Sequence, residues 1–391
     1  MTSPVPHLAD HARCTGCSAC ANGCPKGAIV MTADQEGFLY PHATESCVQC
    51  GHCAHICPAL KQRELRPEPT VFAVWNDNPQ QRSGSTAGGV FSALARFILE
   101  SGGVVFGAAA DGNLHISHIA VQSLEELPRL MGAKLVQSEI GESYRQVRYF
   151  LDRERPVLFT GTPCQVDGLY RYLGESPDRL ITADVVCHGV PSPGVWGRVV
   201  DTMSYIKQKR AISVSFCKKS AGSNVPRFCV RFEDGGSYDA PLLKSDYGRG
   251  LMRDLLLRPS CYQCPYAGTN RVADLTMGIF SGLPAAFLPE ERKKGVSLLM
   301  INTVKGAHIF DMLPLKREKR SLAEAVAGNG ALKCPATVPA ERAAFFAAYA
   351  HQPFQRVYQR FFVASDLSYR MANRDKGPLR WLHALRKEKH K

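Results

Sequence analysis

Eight cysteines near the amino terminus fall in one pattern used twice. Cys14, Cys17, Cys20 and Cys24, followed by Pro25, form the first run; Cys47, Cys50, Cys53 and Cys57, followed by Pro58, form the second. Each reads C-x2-C-x2-C-x3-C-P, a spacing that binds a pair of [4Fe–4S] clusters. Three closely spaced thiolates wrap three corners of a cubane. The fourth lies in the next turn, ahead of a proline, and points to the neighbouring cluster. The spacing therefore predicts one cluster on Cys14, Cys17, Cys20 and Cys57, and the other on Cys47, Cys50, Cys53 and Cys24. Thr15, Gly16, Ser18, Ala19 and Gly51 are small enough to let backbone N–H groups approach the sulfurs, which tunes the potential. Structural zinc closes on four ligands, typically two C-x2-C pairs, and disulfides require an oxidising compartment. Neither fits two quartets that each end in Cys-Pro.

Of the remaining seven cysteines, Cys261 and Cys264 form a C-x2-C pair followed by Pro265. Cys164 follows a strand, Val157–Thr160, and a turn, Gly161-Thr-Pro-Cys164. Pro163 suits the first turn of a helix running to Leu173, so Cys164 is expected at a helix start, where a thiolate is favoured. Cys187 closes another strand, Ile181–Val186. If these four meet, they make a four-thiolate site for iron–sulfur or for zinc; otherwise they share no metal. Cys217, Cys229 and Cys334 have no partner spacing and read as core or surface thiols. His188, directly after Cys187, is either a proton donor or orienting group or simply a hydrogen-bonded loop histidine.

The elements that must position these residues follow from periodicity. Residues 28–41 read as a hairpin turning at Gly37, as between the halves of a two-cluster ferredoxin. Lys61 to Pro69 is charged and proline-containing, a linker. After a strand at Val71–Trp75 comes Ser83-Gly-Ser-Thr-Ala-Gly-Gly89, then a helix with Val90, Phe91, Leu94, Phe97 and Ile98 on one face, stopped by Gly102-Gly103. A Ser/Thr/Gly-rich loop feeding a helix is an anion-binding arrangement, though an ordinary strand–helix turn looks the same. Lys134 falls near that presumed anion site, as a phosphate or flavin contact or as a surface lysine. Strand–helix units at Val157–Leu173 and Ile181–Lys207, the latter capped by Ser192 and Pro193, predict an α/β layer with a largely parallel sheet. Ligands gather at the carboxyl ends of such strands, where Cys164 and Cys187 fall. From Ile212 the alternation in Ile212–Phe216 and Phe228–Phe232 predicts antiparallel strands. Lys244 to Leu257 reads as a helix and Val296 to Val304 as a buried strand, and the last sixty residues read as helical and basic.

The chain has 391 residues, 45% of them hydrophobic, enough for two or three domains. No run long enough to cross a membrane occurs, and Met1 to Ala12 lacks the basic and apolar regions of an export signal. Fifteen cysteines then indicate metal or redox use in a cytoplasmic setting. The net charge of +13 is partly concentrated in Lys376–Lys391. There Leu379, Trp381, Leu382 and Leu385, rimmed by Arg380, Arg386 and Lys387, predict weak contact with an anionic membrane surface. No nucleic-acid motif accompanies the charge.

Taken together, the double cysteine run, Ser85-Thr-Ala-Gly-Gly89, Gly132-Ala-Lys-Leu-Val-Gln-Ser138, Gly161-Thr-Pro-Cys-Gln165, Val186-Cys-His-Gly-Val-Pro-Ser192, Arg258-Pro-Ser-Cys-Tyr-Gln-Cys264 and Arg271-Val-Ala-Asp274 resemble the beta-subunit family of coenzyme F-420 hydrogenases and dehydrogenases. The resemblance runs from about Arg13 to Phe362. The Cys-His-Gly-Val-Pro-Ser wording is most similar to a bacterial branch associated with exopolysaccharide genes. It implies FAD, held partly by Ser85, Thr86, Gly88 and Gly89, with Lys134 and Thr162 as further contacts. It also implies a [4Fe–4S] cluster beside the flavin on Cys164, Cys187, Cys261 and Cys264, and candidate catalytic roles for His188 and Lys134. The implied fold is α/β (α+β overall): a two-[4Fe–4S] ferredoxin domain over 1–62, a linker over 63–69, an α/β flavin-binding domain over 70–160 and 161–330 with an antiparallel insertion, and a helical basic extension over 331–391. Where relatives read Gly-Asp-Phe-Trp-Gly, this chain has Gly278-Ile-Phe-Ser-Gly282, so Ile279 and Ser281 imply a different substrate or an altered site. The implied function is an oxidoreductase joining two-electron chemistry at FAD to one-electron transfer, with ferredoxin or reduced deazaflavin as redox partner and an organic substrate. The alternatives are an electron-transfer subunit docked on a catalytic partner, and a polysaccharide-assembly scaffold without redox turnover.

Overall fold

The computed structural model describes residues 3–4, 8–62, 64–220 and 223–363. The basic segment Lys376–Lys391, with its expected membrane contact, lies outside them.

The amino-terminal part comprises β1 (Ser3–Pro4), α1 (Ala19–Gly23), β2 (Ile29–Ala33), β3 (Leu39–Ala43) and α2 (His52–His55). β2 and β3 form the expected hairpin, with Gly37 at φ +80° where the chain reverses. β4 (Thr70–Trp75), α3 (Pro79–Ser83), α4 (Val90–Glu100), β5 (Val104–Ala110), β6 (Ile116–Val121), α5 (Ser143–Leu151), β7 (Val157–Gly161), α6 (Pro163–Leu173), β8 (Leu180–Val185) and α7 (Pro193–Lys207) follow. A three-stranded antiparallel sheet is then built from β9 (Ala211–Ser220), β10 (Ser223–Phe232) and β11 (Ser237–Pro241). The chain returns to the main sheet with β12 (Leu275–Ile279), β13 (Ser297–Ile301) and β14 (Lys316–Arg320).

The main sheet has eight strands in the order β14-β4-β13-β12-β8-β7-β5-β6. Only its centre is parallel: β12, β8, β7 and β5 run together, while β14, β4, β13 and β6 join by antiparallel pairing. The expectation of a largely parallel sheet is corrected to a mixed one. The strand–helix units account for the central strands, and the return of distant segments supplies the flanks. The expected helix over 244–257 is also shorter. A 3₁₀ turn covers Leu242–Lys244, the α-helix covers Asp246–Met252, and Asp254 at φ +53° ends it. Likewise the strand expected to reach Val304 stops at Ile301, and a helix begins at Val304.

Capping explains the helices that matter for the site. α6 opens with a capping box between Thr162 and Gln165, has Pro163 in its first turn, and stops at Gly174 in the left-handed conformation. α7 is capped by the Ser192 hydroxyl, which accepts from the Val195 N–H. The insertion sheet buries Phe216 and Phe228 against Trp196 of α7. Phe38 and Tyr40 of the hairpin belong to that same apolar cluster, as do Phe345 and Phe362 near the carboxyl end of the described chain. Among the described residues no helix is long and apolar enough to cross a membrane.

His118 on β6 is buried, with Nε2 at 2.9 Å from the Thr160 carbonyl oxygen and its ring stacked on Phe159. Burial lowers its pKa from 6.5 to about 4. The folded chain thus holds the imidazole neutral while the unfolded chain takes up a proton below 6.5. This stability is complete above that pH and is lost as pH falls through about 4. The expected loss is on the order of 3 kcal/mol. Urea midpoints at pH 7 and pH 4 should fall further apart in the wild type than in His118→Gln.

Candidate functional site

The two cysteine runs repeat at the level of the backbone. Gly16 and Ser18 have positive φ in the first, and Gln49 and Gly51 in the second, at matching offsets from Cys14 and Cys47. These left-handed residues turn successive N–H groups inward, the arrangement that makes an anion-binding concavity. The Ala28 N–H donates to the Cys24 sulfur at 3.3 Å, and neighbouring backbone N–H groups act to lower the pKa of Cys17, Cys20, Cys53 and Cys57. The structure brings Cys14, Cys17, Cys20 and Cys57 together, so that burial first and then their mutual repulsion as thiolates raise the pKa of Cys17 and Cys20. Cys24, Cys47, Cys50 and Cys53 line one small cavity beside Lys26 and Val48. Cys24 of the first run thus lies beside the cysteines of the second. Val48 and Cys50 are exposed, whereas Cys17 and Cys20 are buried.

A third quartet is drawn from three separate segments. Cys164 is the second residue of α6, Cys187 lies just beyond β8, and Cys261 and Cys264 belong to the short 3₁₀ turn Pro259–Gln263 and its end. Cys187 feels the charge of Cys164, Cys261 and Cys264, Cys261 that of Cys164 and Cys264, and Cys164 that of Cys264. The Val190 N–H lies 3.4 Å from the Cys261 sulfur, and the Thr162 hydroxyl 3.1 Å from that of Cys164. Gly189, at φ +154°, lets the loop pass close: a Cβ there would come within 2.8 Å of Leu257 and 3.2 Å of Cys261. These sulfurs keep some accessible surface, yet protein crowds them enough that burial dominates. It pushes Cys164 up to about 11 and Cys261 up to about 12. The expectation that the helix start makes Cys164 a ready thiolate is therefore corrected. Desolvation outweighs the helix end, and such thiols ionise when a metal replaces the proton. Among the described residues no group of three or more His, Cys, Asp or Glu side chains converges as closely as a single metal ion requires. A cubane asks less convergence, taking one thiolate per iron corner.

Two buried ionic nodes hold the third quartet in place, both from Arg271-Val-Ala-Asp274. Arg271 donates to Asp184 Oδ1 at 3.0 Å and to the carbonyls of Val185 and Tyr266 at 3.0 Å. It thereby ties the end of β8 to the segment after Cys264. Asp274 accepts from the Thr182 backbone and hydroxyl at 2.9 Å and from the Thr303 hydroxyl at 2.7 Å. Tyr266 donates to Asp167 on α6 at 2.7 Å. Along the same helix Gly168 lies against the first run: a Cβ there would be 2.9 Å from Cys17 Cβ and 3.1 Å from its sulfur. One helix thus carries Cys164 in its first turn and touches Cys17 in its second.

The strand directions place the other sequence candidates. β4 and β12 are both antiparallel to β13, so β4 runs with the central parallel strands. The loop to Gly89, Cys164, Cys187 and Gly278–Gly282 therefore share the carboxyl end of the sheet, the usual ligand crevice of α/β folds. Ser85 Oγ donates to the Gln81 carbonyl at 2.8 Å, Thr86 is half-buried in the same loop, and Gly89 caps α4 at φ +92°. The Gly88 N–H donates to Ser297 Oγ at 2.9 Å, and a Cβ there would lie 2.3 Å from the Val74 carbonyl oxygen. Close packing of β4 on β13 is the observed reason for glycine at 88, which revises its expected role as a free N–H donor. Lys134 Nζ turns back into its own loop, donating to the carbonyls of Met131 at 2.6 Å and of Arg129 and Gly132 at 3.2 Å. Burial lowers its pKa to about 8. His188 Nε2 lies 2.8 Å from Asp254 Oδ1, a partner that spacing in the sequence does not signal. The Ser281 hydroxyl is buried without a hydrogen-bond partner.

Duplicated cysteine loops, packed on an α/β sheet with four further cysteines near one another, define an iron–sulfur electron-transfer protein. Residues 13–60 match the family model described as 4Fe-4S dicluster domain, and residues 154–322 match the family model for the carboxyl terminus of the Coenzyme F420 hydrogenase/dehydrogenase beta subunit. These matches support an F420 hydrogenase beta-subunit-like family for the chain. The F subunit of the F(420)H(2) dehydrogenase of Methanosarcina mazei is 22% identical over 327 residues, 80% of this chain and 86% of that protein. A ferredoxin of Methanocaldococcus jannaschii is 39% identical over 63 residues, 16% of this chain and 82% of the ferredoxin. A solved structure of the F420-reducing [NiFe] hydrogenase complex from Methanosarcina barkeri aligns at a TM-score of 0.44 and 17% identity, over 66% of this chain and 84% of the matched one.

Proposed function

We propose that the chain is an iron–sulfur flavoprotein oxidoreductase in which two-electron chemistry at FAD is coupled to one-electron transfer through three [4Fe–4S] clusters. The observation that carries the reading is the double use of α6, with Cys164 in its first turn and Gly168 against Cys17. One helical turn is only about 5.4 Å, so the third quartet and the first run lie within relay distance. Cys14, Cys17, Cys20 and Cys57, then Cys24, Cys47, Cys50 and Cys53, then Cys164, Cys187, Cys261 and Cys264 would be the ligand sets. When bound, the clusters supply single-electron carriage, and the flavin exchanges two electrons with a hydride donor.

The chain's own part is to hold and orient. The Thr86 hydroxyl and the N–H groups at the start of α4 would meet an anionic moiety, since the Gly88 N–H and the Ser85 hydroxyl already donate within the fold. From β4 to β8 is three strand intervals, roughly 14 Å, so a ligand held at that loop can extend toward Cys187. Thr162 and Lys134 are the further contacts in this reading. His188, its Nε2 oriented by Asp254, presents Nδ1 as the atom that would hold or release a proton.

Anaerobic purification with iron, sulfide and flavin analysis is expected to give about twelve irons per chain and a stoichiometric flavin. A second reading, an electron-transfer subunit docked on a catalytic partner, is favoured by the exposure of Val48 and Cys50 beside the second ligand set. Turnover of an organic substrate by the isolated chain with reduced ferredoxin or deazaflavin would exclude the second reading. The expected site in exopolysaccharide biosynthesis belongs to this proposal too.

A further inference from the structure

Arg258 opens the Arg258–Cys264 motif. It is fully buried, at 0% exposure. Its backbone opens the turn that bears Cys261: the Cys261 N–H donates to the Arg258 carbonyl at 2.9 Å. Its guanidinium reaches across to the amino-terminal run. Nε donates to the Cys14 carbonyl at 2.8 Å, and Nη2 lies 3.0 Å from the Leu39 carbonyl oxygen and 3.7 Å from the Cys14 sulfur. Nη1 donates to Gln137 Oε1 at 3.1 Å, and Gln137 in turn donates to the Thr15 carbonyl at 2.9 Å. The cation sits 4.1 Å from the centre of the Tyr40 ring. Gly16 makes this approach possible, because a Cβ there would come within 2.7 Å of Nη1.

None of these partners is a carboxylate. Of the acids on the hairpin beneath it, Glu36 is engaged by Arg342 and Asp34 by His11. A buried charge without an opposite charge is costly, and breaking a buried pair leaves such a charge. The Cys14 sulfur lies 3.7 Å from Nη2, and Cys261 follows in the turn that Arg258 opens. Four thiolates outweigh the positive charge of an iron–sulfide core, so a bound cluster is anionic, and more so once it has taken up an electron.

We propose that Arg258 is the counter-charge shared by the Cys14 ligand set and the Cys164–Cys261 ligand set, and that it raises the reduction potential of the cluster at Cys14, so that this cluster accepts the single electron leaving the third quartet. Arg258 is a positioning residue in this scheme, since no bond is made or broken at it: one electron moves, one cluster is oxidised and the other reduced. The inference rests on the iron–sulfur reading above. Iron analysis of the wild type tests that reading separately.

The test is an EPR-monitored redox titration of anaerobically prepared wild type, Arg258→Lys, Arg258→Met and Arg258→Gln, each with its iron content. In the two uncharged variants the midpoint potential of the Cys14 cluster is expected to fall by at least about 59 mV, a tenfold shift in a one-electron equilibrium. Arg258→Lys should shift by less than half of that. Wild-type potentials in an iron-replete uncharged variant would overturn the proposal. So would a shift in Arg258→Lys as large as in the others, which would make the planar fork rather than the charge the cause. If neither uncharged variant assembles clusters while Arg258→Lys does, the charge is required for the clusters to form and the proposal stands. If Arg258→Lys fails as well, the role is one of shape and the proposal is wrong.

Discussion

Replacing Cys261 by serine is expected to remove about four irons per chain, one cubane's worth, and to leave both FAD and the amino-terminal clusters in place. The Cys261 sulfur closes a quartet drawn from three separate segments and is met there by the Val190 N–H. A serine hydroxyl is shorter and harder, a poor substitute for a soft thiolate on iron. The Ser85–Gly89 loop lies several strands away, on β4 and α4, so the flavin should remain. Reduction of the bound flavin by an external hydride donor should therefore survive in the variant, while reduction of the amino-terminal clusters through it should fail. Absorption spectra during anaerobic mixing distinguish the two steps. Full iron in Cys261→Ser, or stoichiometric zinc in the wild type, would contradict the assignment, because zinc has no redox chemistry to contribute.

Deleting residues 1–62 is expected to abolish folding of the remainder rather than to release an intact flavin domain. Phe38 and Tyr40 are buried in the cluster that holds Trp196 and Phe345, and Cys17 and Ala19 in the one that holds Tyr144 and Phe159. Losing two aromatic side chains alone removes about 4 kcal/mol of burial. Arg258 would also lose its hydrogen bonds to the Cys14 and Leu39 carbonyls, and a hydrogen bond to a charged group contributes roughly 1.5–3 kcal/mol. The Glu36–Arg342 pair and the Ser192 hydroxyl bond to the Glu36 carbonyl at 2.6 Å would go too. Together these losses rival a whole domain's net stability, on the order of 5–15 kcal/mol. Circular dichroism and limited proteolysis of the truncated chain should show no cooperative melt. A protein that melts cooperatively and keeps about four irons would show the amino-terminal part to be separable.

The amino-terminal dicluster domain was legible in the sequence because its cysteine spacing is local. Ligands three or four residues apart occupy adjacent turns, and the crossing of the fourth cysteine follows from the length of one run. The hairpin at Gly37, the cap at Ser192 and the strand–helix units about Cys164 were legible for the same reason: turn chemistry and periodicity are properties of neighbouring residues. Burial was not. The helix start at Cys164 argued for a thiolate, but the packing that raises its pKa comes from residues far along the chain. Gly88 reads as part of an anion loop, yet its immediate demand is the approach of Val74 and Ser297.

What the sequence determined by itself, then, is the type of ligand and its spacing within each segment. The tertiary structure decided which segments share a site. Cys164 and Cys187 meet because β7 and β8 are adjacent and parallel. Cys261 joins them because the chain leaves the main sheet for the insertion and comes back through β12 beside β8. Arg258 reaches Cys14 across 244 residues of sequence. No local propensity encodes such a meeting. It results from strand order and from burying a few large apolar side chains together, which only the folded chain as a whole can do.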